Sequence, residues 1–110
     1  MTYEEVKINY DGSSLGNPST GGTGSTFIAH NRDFLGVLMV NIGVTTSYYA
    51  ECSSILYALY TALDNNWLKV FLVSDSKAAI SAFINKKIPW DLRARWEYIS
   101  SKLQIRFKHS

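Results

Sequence analysis

Four consecutive apolar residues at positions 70–73 (VFLV) constrain the fold of this 110-residue chain more than any other feature. A strand that is apolar at every position is buried on both faces, and such strands are usually parallel members of an α/β sheet. A parallel strand needs a crossover connection before it, most often a helix. Apolar residues recur at Ile55, Leu56, Leu59 and Leu63 with helical spacing, so we expect the crossover helix there.

The other strands are predicted from alternating apolar residues or from neighbouring turn residues. They span residues 6–10, 26–29, 34–40 and 103–108. The second and third strands flank a turn and predict a hairpin, whereas the glycine-rich stretch at 12–24 predicts a loop. We therefore expect an α/β fold with a mixed five-stranded sheet, in which three strands are antiparallel and two are parallel.

Two further helices are predicted after the apolar strand. Ser74 or Asp75 is expected to cap the first of them, because both side chains can accept a hydrogen bond from the first turn of a helix. Pro89 breaks the chain, and the next helix is predicted over residues 90–98. The last strand, which alternates cleanly, is expected near an edge of the sheet.

Length and composition fit a single domain over residues 1–110. No apolar run approaches the ~18 residues that a membrane-spanning helix needs, and the acidic N-terminal segment lacks the apolar core of a secretory signal. Cys52 is the single cysteine, which excludes an intrachain disulfide. These features favour an intracellular protein, in the nucleus or the cytoplasm.

Charge is distributed unevenly along the chain. Residues 1–85 carry four Lys or Arg against seven Asp or Glu, whereas residues 86–110 carry seven against two. The basic residues near the start of this second part interleave with Trp90 and Trp96, and they are Lys86, Lys87, Arg93 and Arg95. Such a surface can contact nucleic-acid phosphates. The alternative is that both tryptophans anchor the third helix in the core while the cations are solvated.

Three acids lie at the ends of predicted elements. Asp11 ends the first strand, Asp75 follows the apolar strand, and Glu51 lies near the start of the crossover helix. If the two strands are parallel neighbours, both aspartates leave the same edge of the sheet, where α/β sheets usually bind ligands. Each acid also has an ordinary alternative: Asp11 as a turn residue, Glu51 as a first-turn helix carboxylate, and Asp75 as a helix cap.

Three neighbouring carboxylates would repel one another unless a cation lies between them. The sequence offers no Cys/His cluster for zinc, and carboxylate oxygens suit Mg²⁺ or Mn²⁺. Two such ions can activate a water molecule and stabilise the leaving oxygen in phosphodiester hydrolysis.

Four motifs together resemble the ribonuclease H-type domain, and most closely the plant group related to non-LTR retrotransposon proteins. They are DGSSLGNP at 11–18, TT before AE at 45–51, SDSK at 74–77 and WDLRARW at 90–96. The resemblance implies Mg²⁺-dependent endonucleolytic hydrolysis of the RNA strand of RNA–DNA hybrids, with Asp11, Glu51 and Asp75 as catalytic and metal-binding residues. It also implies substrate contacts by Gly12, Ser13, Asn17 and Thr46.

The chain also departs from the family pattern. The family has a fourth acid on a helix that follows the last strand, and this sequence is expected to be C-terminally truncated before that helix. The sheet face that the helix normally covers is then expected to be open to self-association or to a partner. A catalytically weak or inactive nucleic-acid-binding remnant is therefore one alternative function, and an unrelated small α/β binding module is another.

Overall fold

The computed structural model describes residues 4–12, 22–41 and 48–110. The strands in this part of the chain are β1 (Val6–Asp11), β2 (Gly22–Ala29), β3 (Phe34–Asn41), β4 (Lys69–Ser74) and β5 (Gln104–His109). The helices are α1 (Tyr48–Asp64), α2 (Lys77–Ile84) and α3 (Arg93–Lys102), with a 3₁₀ turn at Trp90–Leu92 before α3.

The five strands form one sheet in the order β3-β2-β1-β4-β5. The pairs β1/β2 and β2/β3 are antiparallel, whereas β1/β4 and β4/β5 are parallel. The predicted α/β architecture with a mixed five-stranded sheet is thus confirmed. Strand β5 lies at an edge, as its clean alternation predicted.

The core lies on one face of the sheet, where the helices pack. Val70 and Leu72 of β4 are fully buried there, together with Ile8 of β1 and Ile55 and Leu59 of α1. The alternate residues of β4 point to the other face and are only partly buried. The prediction that both faces of β4 are buried is therefore wrong for the second face, where Phe71 and Val73 are only partly buried.

The two edges of the sheet differ in chemistry. On β3, the apolar side chains of Phe34, Val37 and Met39 are exposed. On β5, exposed Arg106 and Lys108 alternate with partly buried apolar residues. Arg106 donates two hydrogen bonds to the Glu5 carboxylate, at 2.9 and 3.0 Å, and its guanidinium lies 4.1 Å from the centre of the Phe71 ring.

Three predicted boundaries are wrong. The helix predicted over residues 90–98 is α3, which spans Arg93–Lys102, and residues 90–92 form a 3₁₀ turn instead. Strand β2 begins at Gly22, inside the stretch that we predicted as a loop, because Gly24 pairs with Asp11 across the antiparallel ladder. Helix α2 is capped by Ser76, not by Ser74 or Asp75: the Ser76 hydroxyl accepts a hydrogen bond from the Ala79 amide at 3.3 Å.

No described helix has the length and apolar character that crossing a membrane requires.

Candidate metal and nucleic-acid site

Two of the predicted acids lie at the ends of neighbouring strands. Tyr10 of β1 pairs in parallel with Ser74 of β4. Asp11 and Asp75 each follow one of these residues, so both acids lie where the two parallel strands end. Because adjacent strands are about 4.8 Å apart, the two backbones are close enough for both carboxylates to reach one ligand.

The third acid, Glu51, lies in the first turn of α1 and is half-buried. Gly12 lies directly against it: a Cβ placed on Gly12 would be 2.8 Å from Glu51 Oε1. Burial raises the pKa of the Glu51 carboxyl above its usual value, and the negative charge of Asp75 raises this pKa further. Glu51 therefore lies close enough to Asp75 for the two charges to interact unfavourably.

The three acids are not arranged as a complete metal-binding site. Across residues 4–12, 22–41 and 48–110, no three His, Cys, Asp or Glu side chains are grouped as a metal site requires. The donor set nevertheless has the chemistry of a Mg²⁺ or Mn²⁺ site, since it offers only carboxylate oxygens and its charges repel one another.

The backbone around Asp75 is held by hydrogen bonds on both sides. The buried Ser74 hydroxyl accepts a bond from the Ser76 amide at 3.0 Å. The Ser74 carbonyl accepts one from the Ser110 amide at 2.9 Å, and the Asp75 carbonyl accepts one from His109 Nε2 at 3.1 Å. The end of β5 thereby fixes the segment from which the Asp75 carboxylate extends.

The structure removes one of the ordinary alternatives. Asp75 is not the cap of α2, because Ser76 has that role. Asp11 is the last residue of β1, and the turn begins at Gly12. Glu51 is in the first turn of its helix, so a favourable interaction with the helix dipole stays possible for it.

The predicted substrate contacts fall mostly outside the described residues. Gly12 is described and lies beside Glu51. Ser13, Asn17 and Thr46 lie outside the part of the chain that the structure describes.

The basic segment lies next to the start of α1. Its four cations, Lys86, Lys87, Arg93 and Arg95, are all exposed. The Tyr48 hydroxyl donates a 2.6 Å hydrogen bond to the Lys87 carbonyl, which connects the first residue of α1 to this segment. No sequence pattern predicts this contact, because the two residues are 39 positions apart and their pairing depends on how α1 packs.

The two tryptophans of the basic segment have different environments. Trp96 packs against Phe83 and Phe107, with ring centres 5.1 and 6.0 Å apart. Trp90 is 82% exposed. The alternative that both tryptophans anchor the third helix in the core is therefore correct for Trp96 and wrong for Trp90.

Comparison with known proteins places these features in a family. The sequence profile of the RNase H family matches residues 3–109, so this chain belongs to the RNase H family. A search of curated proteins found no match to it.

Solved structures with the same fold come from several sources. RNase H1 from the halophilic archaeon Halobacterium salinarum superposes with a TM-score of 0.75 at 21% identity, covering 96% of this chain and 85% of that one. The N-terminal RNase H domain of a Mycobacterium tuberculosis protein gives 0.74 at 24% identity, with coverages of 94% and 84%. LC11-RNase H1, solved in complex with an RNA/DNA hybrid, gives 0.72 at 21% identity, with coverages of 96% and 84%.

Proposed function

We propose that this chain is a Mg²⁺-dependent endonuclease that hydrolyses the RNA strand of RNA–DNA hybrids, with Mn²⁺ as a possible substitute. Its catalytic and metal-binding residues are Asp11, Glu51 and Asp75. Membership of the RNase H family supports this proposal, and so does the hybrid bound to LC11-RNase H1. The observation that carries it is the parallel pairing of Tyr10 with Ser74, which brings two of the acids to one edge of the sheet.

In this proposal each group has a defined task. Bound Mg²⁺ would activate a water molecule and stabilise the leaving oxygen of the RNA strand. The chain supplies oxygen ligands from two strand ends and one helix, and the hydrogen bonds around Asp75 limit how far its backbone can move. Ion binding would also relieve the repulsion between Glu51 and Asp75.

We infer that nucleic acid approaches across the basic segment beside α1. The cations Lys86, Lys87, Arg93 and Arg95 are exposed, so phosphates can reach them. The resemblance further assigns hybrid contacts to Gly12, Ser13, Asn17 and Thr46. Affinity for the hybrid should then fall with rising salt, since phosphate contacts release counterions.

Replacing Asp11 by asparagine tests the proposed reaction. We expect Asp11→Asn to abolish Mg²⁺-dependent hydrolysis of a labelled hybrid while hybrid binding is retained or strengthened, because the substitution removes a negative charge near the phosphates. Asp64→Asn, at the exposed end of α1, is the matched control and should cleave normally. Duplex DNA serves as the control substrate. Hydrolysis that persists in Asp11→Asn would exclude this acid from the reaction.

A second function, hybrid binding without turnover, is favoured by one observation: the acids of the described chain are not grouped into a metal site. Wild-type protein that binds the hybrid, yet neither cleaves it nor takes up Mg²⁺ or Mn²⁺ in a titration, would establish this alternative.

We also propose that the chain belongs to the plant group related to non-LTR retrotransposon proteins. We further propose that residues 1–110 form a single domain, and that the protein acts in the nucleus or the cytoplasm. The motifs at 11–18 and 90–96 support the group. Exposed apolar residues on β3 and the half-buried Phe71 support a partner or second copy on the open sheet face. Sedimentation velocity over a concentration series tests the self-association.

A further inference from the structure

Trp90 is the most exposed of the large apolar side chains that the structure describes, with 82% of its surface accessible. The other two tryptophans behave differently. Trp67 packs against Phe27 at 5.5 Å between ring centres, and Trp96 packs against Phe83 and Phe107. Tryptophan is usually well buried, because removing its large ring from water is energetically favourable. Core packing therefore does not explain the position of Trp90.

The segment that carries Trp90 is well anchored. Ile88 before it and Leu92 after it are each only 2% exposed. The Leu92 amide donates to the Pro89 carbonyl at 2.9 Å, and the Arg93 amide donates to the Trp90 carbonyl. The indole is thus presented from a short, fixed 3₁₀ turn, so contact with a ligand would cost little backbone ordering.

Cations flank this indole along the chain. Lys86, Lys87 and Arg93 are exposed within a few residues of it, and Arg93 Nε donates to the Ile88 carbonyl at 3.3 Å, which keeps the guanidinium beside the turn. The one acid of the segment, Asp91, interacts with the Tyr49 hydroxyl and raises its pKa. An exposed aromatic ring within a positive surface is the combination that binds single-stranded nucleic acid.

We propose that Trp90 stacks on an unpaired base while Lys86, Lys87 and Arg93 contact the phosphates of the same strand. The bases of a duplex or a hybrid are stacked on one another and leave no free face along their length, so an indole needs an unpaired nucleotide. The ligand is therefore a single strand. The Tyr48–Lys87 hydrogen bond connects this surface to the helix that carries Glu51, so the strand would be the single-stranded flank of a hybrid, an assignment that rests on the proposed function.

Binding without chemistry tests the stacking directly. Fluorescence anisotropy with labelled oligothymidylate and oligouridylate, in EDTA, should show at least about fivefold weaker binding by Trp90→Ala, the lower limit for one base–aromatic stack. Trp90→Phe should recover most of the affinity. Phe34→Ala is the matched control: Phe34 is also an exposed aromatic residue, but it lies on β3, and its removal should leave the affinity unchanged. Equal affinities of Trp90→Ala and Phe34→Ala would overturn the proposal.

A second comparison uses the hybrid itself in Mg²⁺. The wild type should bind and cleave a hybrid with a single-stranded extension better than the blunt hybrid, and Trp90→Ala should lose that preference. Equal loss on both substrates would overturn the proposal and would instead indicate a duplex contact. Absence of all cleavage, with oligonucleotide binding still dependent on Trp90, would refute the proposed reaction and leave the stacking site supported.

Discussion

Replacing Glu51 by glutamine separates two roles of this carboxylate by the sign of the stability change. A first-turn glutamate that simply complements the helix dipole stabilises its helix, and its loss costs about 0.3–1 kcal/mol. In this chain, however, burial and the charge of Asp75 both raise the pKa of Glu51, so the ionised form is unfavourable in the folded state. We therefore expect Glu51→Gln to raise the free energy of unfolding at neutral pH when no divalent ion is present.

The size of the gain follows from the exposure of the two acids. Glu51 is half-buried and Asp75 is exposed, so solvent screens their repulsion. Charge pairs in such settings contribute about 0.2–1 kcal/mol, and relief of the repulsion should be of the same order. For a domain of this size that corresponds to an increase in Tm of about 1–5 °C.

The pH dependence has a definite sign. Because the folded-state pKa of Glu51 is raised, the native state holds its proton over a range in which the unfolded chain has lost it. Wild-type stability from this group therefore decreases as pH rises from the usual glutamate pKa through the raised value. The advantage of Glu51→Gln should be absent at acidic pH, where Glu51 is protonated in both states, and complete above the raised pKa.

Thermal unfolding followed by circular dichroism, at several pH values in EDTA and in Mg²⁺, measures this effect. Mg²⁺ should stabilise the wild type and reverse the order of the two proteins, since an ion that binds only the native state raises its stability. Glu97→Gln, on the exposed surface of α3, is the matched control and should change little. A variant that is less stable than the wild type in EDTA at neutral pH would refute the reasoning and favour the helix-dipole role.

Two further substitutions test how the site is built. Gly12→Ala places a methyl group 2.8 Å from Glu51 Oε1 and should displace that carboxylate. Hybrid hydrolysis is therefore expected to fall about 10- to 100-fold, with little change in Tm. An unchanged kcat would contradict this expectation. His109→Ala removes the hydrogen bond to the Asp75 carbonyl and should lower stability by about 0.5–1.5 kcal/mol and speed amide exchange at Ser76, whereas His30→Ala, in the exposed hairpin turn, should do neither.

Periodicity carried most of the fold prediction. The alternation at 6–10 and the apolar run at 70–73 identified two strands whose parallel pairing positions the aspartates, because side-chain patterning records which face is buried. Local chemistry did not decide between competing caps: Ser74, Asp75 and Ser76 can all accept a helix amide, and only the path of the chain selects Ser76. The register between β1 and β2 likewise depends on pairing partners that a glycine-rich sequence does not reveal.

The candidate site was predictable in its residue types and less so in its geometry. Strand order made Asp11 and Asp75 neighbours, as expected from the sequence. The contact between Gly12 and Glu51 could not be predicted, because it depends on the position of α1 above the strand ends. The exposure of Trp90 could not be predicted either. Trp90 and Trp96 lie in the same short segment, and their environments differ because Trp90 is in the 3₁₀ turn.

The contrast between the outer strands has a consequence for handling this protein. Exposed Lys108 on β5 would bring like charges together if two such edges met, and this discourages pairing between molecules. Strand β3 carries exposed Phe34, Val37 and Met39 and no comparable charge. Aggregation during refolding or at high concentration should therefore begin at β3. A Val37→Lys substitution should delay precipitation more than a substitution on β5.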